Sequence, residues 1–127
     1  MQKKKYRIEF ILDGLPRMTN PSGRSGHWAV VRKERAGWKA KVLAAIGPAK
    51  PAKPFEKATL TLTRRSSVAP DPDGLVSGFK AIVDALVDHG VIVNDRFNNI
   101  GMPDYRWEKA PPGKGHVVVR VVADTEQ

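Results

Sequence analysis

Asp71, Pro72 and Asp73 place two carboxylates at positions i and i+2. In an extended segment such residues project to the same side of the chain. Pro72 fixes its own φ and carries no N–H, which stiffens the tripeptide and keeps it out of the centre of a sheet ladder. A pair of this kind ligates one hard cation through oxygen and leaves positions open for water and a phosphate oxygen, which suits Mg²⁺. The ordinary alternative is structural, with Asp73 capping a helix and Asp71 serving in a turn. Downstream, Asp73, Ser77, Lys80, Asp84 and Asp88 recur at spacings of four, three, four and four, which puts them on one polar stripe of a helix. Lys80 lies roughly 10 Å along the axis from Asp73. A helical lysine leans back toward the N-terminus, so its ammonium approaches the carboxylates or a phosphate held there. An exposed Lys80–Asp84 pair at i,i+4 is the other use of the same charge. Asp95 follows a Gly turn and the apolar run Val91-Ile92-Val93. If that run pairs in a sheet beside the strand leading to Asp71, a third carboxylate emerges at the same edge.

The charge of the chain is divided. Residues 1–70 hold 16 Lys/Arg against 4 Asp/Glu, a balance of +12, and residues 71–127 hold 6 against 9, a balance of −3. A basic half joined to an acidic half suits a protein that holds phosphates with cations and a metal with carboxylates; solubility alone is the plain alternative. Arg17, Arg24, Arg32, Arg35 and Lys39 are the candidates for contacts to a nucleic-acid backbone. The chain has no cysteine, so disulfides, thiolate metal sites and thiol nucleophiles are excluded. His27, His89 and His116 have no spacing that suggests metal binding or general-base work. No segment reaches the roughly 20 apolar residues of a membrane span, and no apolar signal region follows the N-terminal lysines. The reading expects a cytoplasmic protein with no membrane partner.

The scaffold follows from periodicity. Tyr6, Ile8 and Phe10 alternate with charged residues and predict a strand over 4–12. Residues 16–26 have loop composition, and His27 to about Ile46 reads as a helix with Trp28, Val31, Trp38, Val42 and Ala45 toward the core. Gly47-Pro48 closes it. A strand over 55–65, a helix over about 74–89 with Leu75, Phe79, Ile82 and Leu86 inward, an extended segment over about 100–109 and a buried strand over 116–123 complete the chain. The expectation is one α+β domain spanning 1–127, in two layers, with helices on a small mixed sheet in the order β-α-β-α-β-β. The run Val117–Val122 is longer than one face of such a sheet needs, which points to a dimer interface.

The block Asp71-Pro72-Asp73-Gly74-Leu75, then Lys80-Ala81-Ile82-Val83-Asp84-Ala85-Leu86, then Val91-Ile92-Val93-Asn94-Asp95 resembles the RusA family of phage-type Holliday junction resolvases. That family carries an Asp-x-Asp-Asn-Leu segment, a Lys-x-x-x-Asp-x-Leu helix and an acidic pair about eleven residues later. The Pro/Asn-rich loop leading to His27-Trp28 and the basic helix after it extend the likeness over most of the chain. The resemblance implies a homodimer that binds branched DNA, four-way junctions above all, and cuts it using Mg²⁺, with Mn²⁺ as a substitute. It assigns Asp71, Asp73 and Asp95 to the metal and Lys80 to the reacting phosphate. Gly74 stands in place of the family Asn, Asn94 in place of the first acidic residue, and seven residues separate Asp73 from Lys80 where some relatives have four. The alternative is a non-catalytic nucleic-acid-binding protein that uses the basic half.

Overall fold

A computed structural model describes residues 4–17 and 27–125. Arg24 lies outside the described residues, as do the side chains of His27 and Trp28.

The first strand, β1 (Lys4–Asp13), has the expected alternation. Ile8, Phe10 and Leu12 are buried while Arg7, Glu9 and Ile11 face out. The second strand, β2 (Thr59–Ser66), buries Leu60 and Leu62 from the same side of the sheet. The third, β3, spans Asp104–Lys109 and the last, β4, spans His116–Thr125. The sheet order is β1-β4-β2-β3, with β4 antiparallel to both neighbours and β2 parallel to β3. The fold is therefore α+β with a four-stranded mixed sheet.

Helices cover one face. Helix α1 (His27–Ile46) buries Trp38, Val42 and Ile46 in the same cluster as the inward residues of the sheet. Its end is set by Gly47, whose φ of 48° is readily accessible to glycine. The parallel β2–β3 pair requires a crossover, supplied by α2 (Pro72–Gly78), α3 (Lys80–Asp88) and the single turn α4 (Phe97–Ile100). Phe79, Ile82 and Leu86 are at most 1% exposed. Burying aliphatic and aromatic side chains of this size contributes about 1.5–3 kcal/mol each. None of the helices among the described residues is long and apolar enough to cross a membrane.

Four differences from the sequence reading matter for the site. The helix expected over 74–89 is two helices, interrupted at Phe79, whose N–H turns to Val76 O at 3.1 Å. Gly78, a poor helix former, precedes the break, and the tightened turn delivers Phe79 into the core. The strand expected from Phe55 begins at Thr59, and Phe55 instead makes an isolated parallel bridge to Ile92. Of the segment 100–109, only Asp104–Lys109 is strand; Ile100 ends α4 and Gly101 has a φ of 61°. Val117, Val119 and Val121 are fully buried in the chain's own core, and Val118, Arg120 and Val122 of that run point to the opposite face.

The run Val91–Val93 does not occupy the place beside β2, because β3 takes it from Thr61–Asp104 to Ser66–Lys109. Ile92 bridges Phe55, ahead of the start of β2, whereas Asp71 follows the end of β2. Helices α2 and α3 carry the chain back along the sheet before it reaches Ile92.

Candidate active site

Asp71 is the N-cap of α2. Its backbone is extended, and Oδ1 accepts the Gly74 N–H at 2.7 Å. A side-chain oxygen in this position satisfies one of the unpaired N–H groups at a helix start. The capping role expected for Asp73 therefore falls to Asp71, and Asp73 occupies the first turn. Both residues are exposed. Their carboxylates stand by the positive end of the helix, which favours negative charge over the first turn.

Asp95 is positioned differently. Its own N–H donates to Asn94 Oδ1 at 2.8 Å, and its Oδ2 accepts from Lys80 Nζ at 3.0 Å. Asn94, which stands where the resemblance expects an acid, shapes the backbone at Asp95. Lys80 Nζ also lies 3.2 Å from Asp84 Oδ1, so the i,i+4 pair is present as well. The other oxygen of Asp84 accepts from Arg35 on α1. One helical turn further, Lys39 pairs with Asp88 at 3.6 Å, and His89 Nε2–H donates to Lys39 O at 2.8 Å. These contacts line a cleft of about 490 Å³ between α1 and α3, bounded by Arg35, Lys39, Lys80, Asp84, Asp88 and Asp95.

The charges act on one another. The Lys80 hydrogen bond holds the Asp95 carboxyl below the ordinary aspartate range, against a smaller opposing effect of burial. Asp95 in turn raises the Lys80 ammonium pKa, with Asp84 adding to the effect. Both groups therefore stay charged across neutral pH. Tyr105 on β3 borders the same site. Burial raises its hydroxyl pKa first, and the fields of Lys80 and Asp95 act on it in opposite directions.

The sequence reading placed Asp71, Asp73 and Asp95 around one cation. All three offer oxygen, the donor a hard cation takes. Among the described residues, however, no three acidic or histidine side chains are grouped closely enough to hold a metal ion. Asp95 is engaged by Lys80, and one oxygen of Asp71 is engaged by the cap. The fold brings Asp95 together with Lys80, Asp84 and Arg35.

The expected phosphate contacts also sort themselves. Arg35 and Lys39 are tied to Asp84 and Asp88 across the α1–α3 interface, and Arg17 is tied to Glu34 at 2.9 Å. Their charge is neutralised locally; for Arg35 and Lys39 the reason is that the facing helices α1 and α3 present opposite charges at matching heights. Arg32 is exposed and has no ion-pair partner among the described residues. Trp38 is core, 8% exposed, with the Lys41 ammonium 4.6 Å from its ring centre.

Two features escaped the sequence reading. Asp84 as the link between Arg35 and Lys80 depends on which helices face each other, for which local spacing carries no signal. Arg64 is only 6% exposed on the inner face of β2, where Nη1 donates to Pro16 O at 2.9 Å while Nε has no partner. Burial lowers its pKa. The alternation that puts Leu60 and Leu62 inward also puts Arg64 inward, and that signal was present in the sequence. No protein-family model matches this chain, and no curated protein matches it.

Proposed function

We propose that this chain is a structure-selective endodeoxyribonuclease that cuts branched DNA, four-way junctions above all, as the RusA resemblance implies. The observation that carries the reading is the Lys80–Asp95 pair at 3.0 Å, on the arm that begins with the exposed carboxylates of Asp71 and Asp73. Lys80, 63% exposed beside an open cleft, presents its ammonium where a phosphate would arrive. Lys80 would orient the scissile phosphodiester and offset the negative charge that grows on it. Arg32 would hold the backbone of a DNA arm.

The proposal includes Mg²⁺, with Mn²⁺ as a substitute. Two carboxylates together with substrate oxygens and water suffice for such an ion, and Asp71 and Asp73 are the residues that would hold it. Asp95, whose Oδ2 accepts from Lys80, would complete the set that the resemblance implies. Paired cuts across a junction require two sites, hence the homodimer in this reading. The absence of cysteine agrees with the cytoplasm as its place of action.

A second reading has support of its own. A chain of net charge +9 binds polyanions without any chemistry. On that reading the protein binds nucleic acid and does not cut it. One experiment separates the two: incubation with a synthetic four-way junction and Mg²⁺ or Mn²⁺. Cutting that Asp71→Asn and Asp73→Asn abolish, with junction binding retained, supports the nuclease. Binding with no cutting under either metal supports the binding protein and ends the enzymatic proposal.

A further inference from the structure

Phe97 is 67% exposed, and it is the only exposed aromatic among the described residues. The ring is not on a loose loop. Phe97 opens α4, where Ile100 N–H donates to Arg96 O at 3.0 Å and Gly101 N–H donates to Phe97 O at 2.8 Å. The turn is also pinned from outside. Asn99 Nδ2 donates to Glu56 O at 2.8 Å, Ala58 N–H donates to Asn99 O at 3.0 Å, and Ile100 is 7% exposed in the core. A bare ring on a fixed base loses little conformational freedom when something stacks on it. Within the same ten residues Val93 and Met102 are also exposed, at 46% and 78%.

The surroundings favour a nucleic-acid base as the occupant. On the side of Asp95 lies the cleft whose Lys80, Arg35 and Lys39 are each paired with an aspartate. Asn98 and Asn99 of α4 form part of a groove of about 1370 Å³ that carries Lys5, Lys53 and Lys57. These three lysines have no ion-pair partner among the described residues, and exposed Arg96 precedes the ring in the chain. A surface that only received an apolar protein partner would not need unpaired cations beside it, whereas a DNA strand brings phosphates to them. Aromatic rings beside a cationic track bind bases by stacking, largely without regard to sequence.

We infer that Phe97 is the branch-recognition residue of this protein: its ring stacks on the base exposed where DNA arms part, with a departing strand led along the lysine-bearing groove. The inference rests on the branched-DNA reading above and names how that site would tell a branch from a continuous duplex. In a continuous duplex every base is already stacked on its neighbours, so the ring has no free face to meet. At a branch a terminal base face is open.

The test uses the full chain with divalent metal withheld, an immobile four-way junction carrying 2-aminopurine beside the branch, and a linear duplex of the same length. Wild type is expected to bind the junction more tightly than the duplex and to change the 2-aminopurine emission. Phe97→Ala and Phe97→Leu are expected to weaken junction binding about tenfold, within the usual effect of losing one base–aromatic stack. Duplex binding should stay within about twofold for both, since the phosphate contacts that supply it remain. Phe97→Trp should restore junction binding and the emission change. Because the side chain is exposed, thermal melting of the variants should match wild type. The inference is overturned if Phe97→Ala binds the junction as wild type does, or loses junction and duplex binding equally. Should wild type itself show no preference for the junction, the branched-DNA reading falls first and this inference with it.

Discussion

Replacing Lys80 by methionine removes the ammonium and keeps most of the aliphatic stem. The lost contacts are those to Asp95 at 3.0 Å and Asp84 at 3.2 Å. Lys80 is 63% exposed, so water screens both, and exposed pairs of this kind contribute about 0.2–1 kcal/mol each. Asp84 keeps Arg35, which leaves Asp95 as the main loser. The expected destabilisation at pH 7 is therefore about 0.5–1 kcal/mol, a fall in Tm of roughly 2–5 °C for a domain of this size.

Its dependence on pH identifies the cause. Asp95 has its pKa lowered by Lys80, so its share is present above the ordinary aspartate range and is lost as pH falls through the depressed value. Lys80 has its pKa raised, so its share is intact below the ordinary lysine range and is lost as pH climbs through the raised value. Urea denaturation of wild type and Lys80→Met should show a constant difference from about pH 5 to pH 9. The difference should close as pH falls below the depressed Asp95 value. A gap that persists unchanged in acid would mean that the stem and not the charge stabilises the fold. A loss above about 2 kcal/mol at pH 7 would equally refute the treatment of this network as a screened surface one. On the nuclease reading, cutting falls by about a hundredfold or more in the same variant, far beyond what so small a stability change explains.

Asp71 separates capping from chemistry. Asp71→Ala should lower stability by about 0.5–2 kcal/mol through loss of the cap, whereas Asp71→Asn retains an accepting oxygen and should melt close to wild type. If Asp71 acts only as a cap, Asp71→Asn leaves any cutting activity intact. Arg32→Gln should reduce the slope of log K against log salt for duplex binding by about 0.9, the effect of one phosphate contact. Arg35→Gln should leave that slope nearly unchanged, since Arg35 is already paired with Asp84; equal effects of the two would show that the pair opens on binding. Leu62→Ala, at a fully buried site under the helices, should cost about 2–5 kcal/mol in denaturant unfolding.

How much of this was legible differs from element to element. Strand β1 and helix α1 could be read from periodicity because alternation and 3.6-residue spacing are local signals, and each element buries one face. The interruption at Phe79 was less legible: the apolar stripe runs through it without a gap, and Ser77-Gly78 is only a weak local warning. The apolar run of β4 is explained by its place in the sheet. A strand central in the sheet uses both faces, and three of its valines are consumed by the chain's own core.

Local chemistry set the pieces of the site: the stiff Asp71-Pro72-Asp73 segment, a polar stripe bearing Lys80 and Asp84, and an aspartate after an apolar run. Where those pieces meet was decided by the sheet. Parallel pairing of β2 with β3 leaves Val91–Val93 at the Phe55 bridge, and Asp95 lies against Lys80. The same packing turned Arg35 and Lys39 from free cations into partners of α3. Spacing along a chain fixes which side chains share a face. Contacts between faces depend on register and crossover, which are settled by the burial of the whole core and have no signature within one segment.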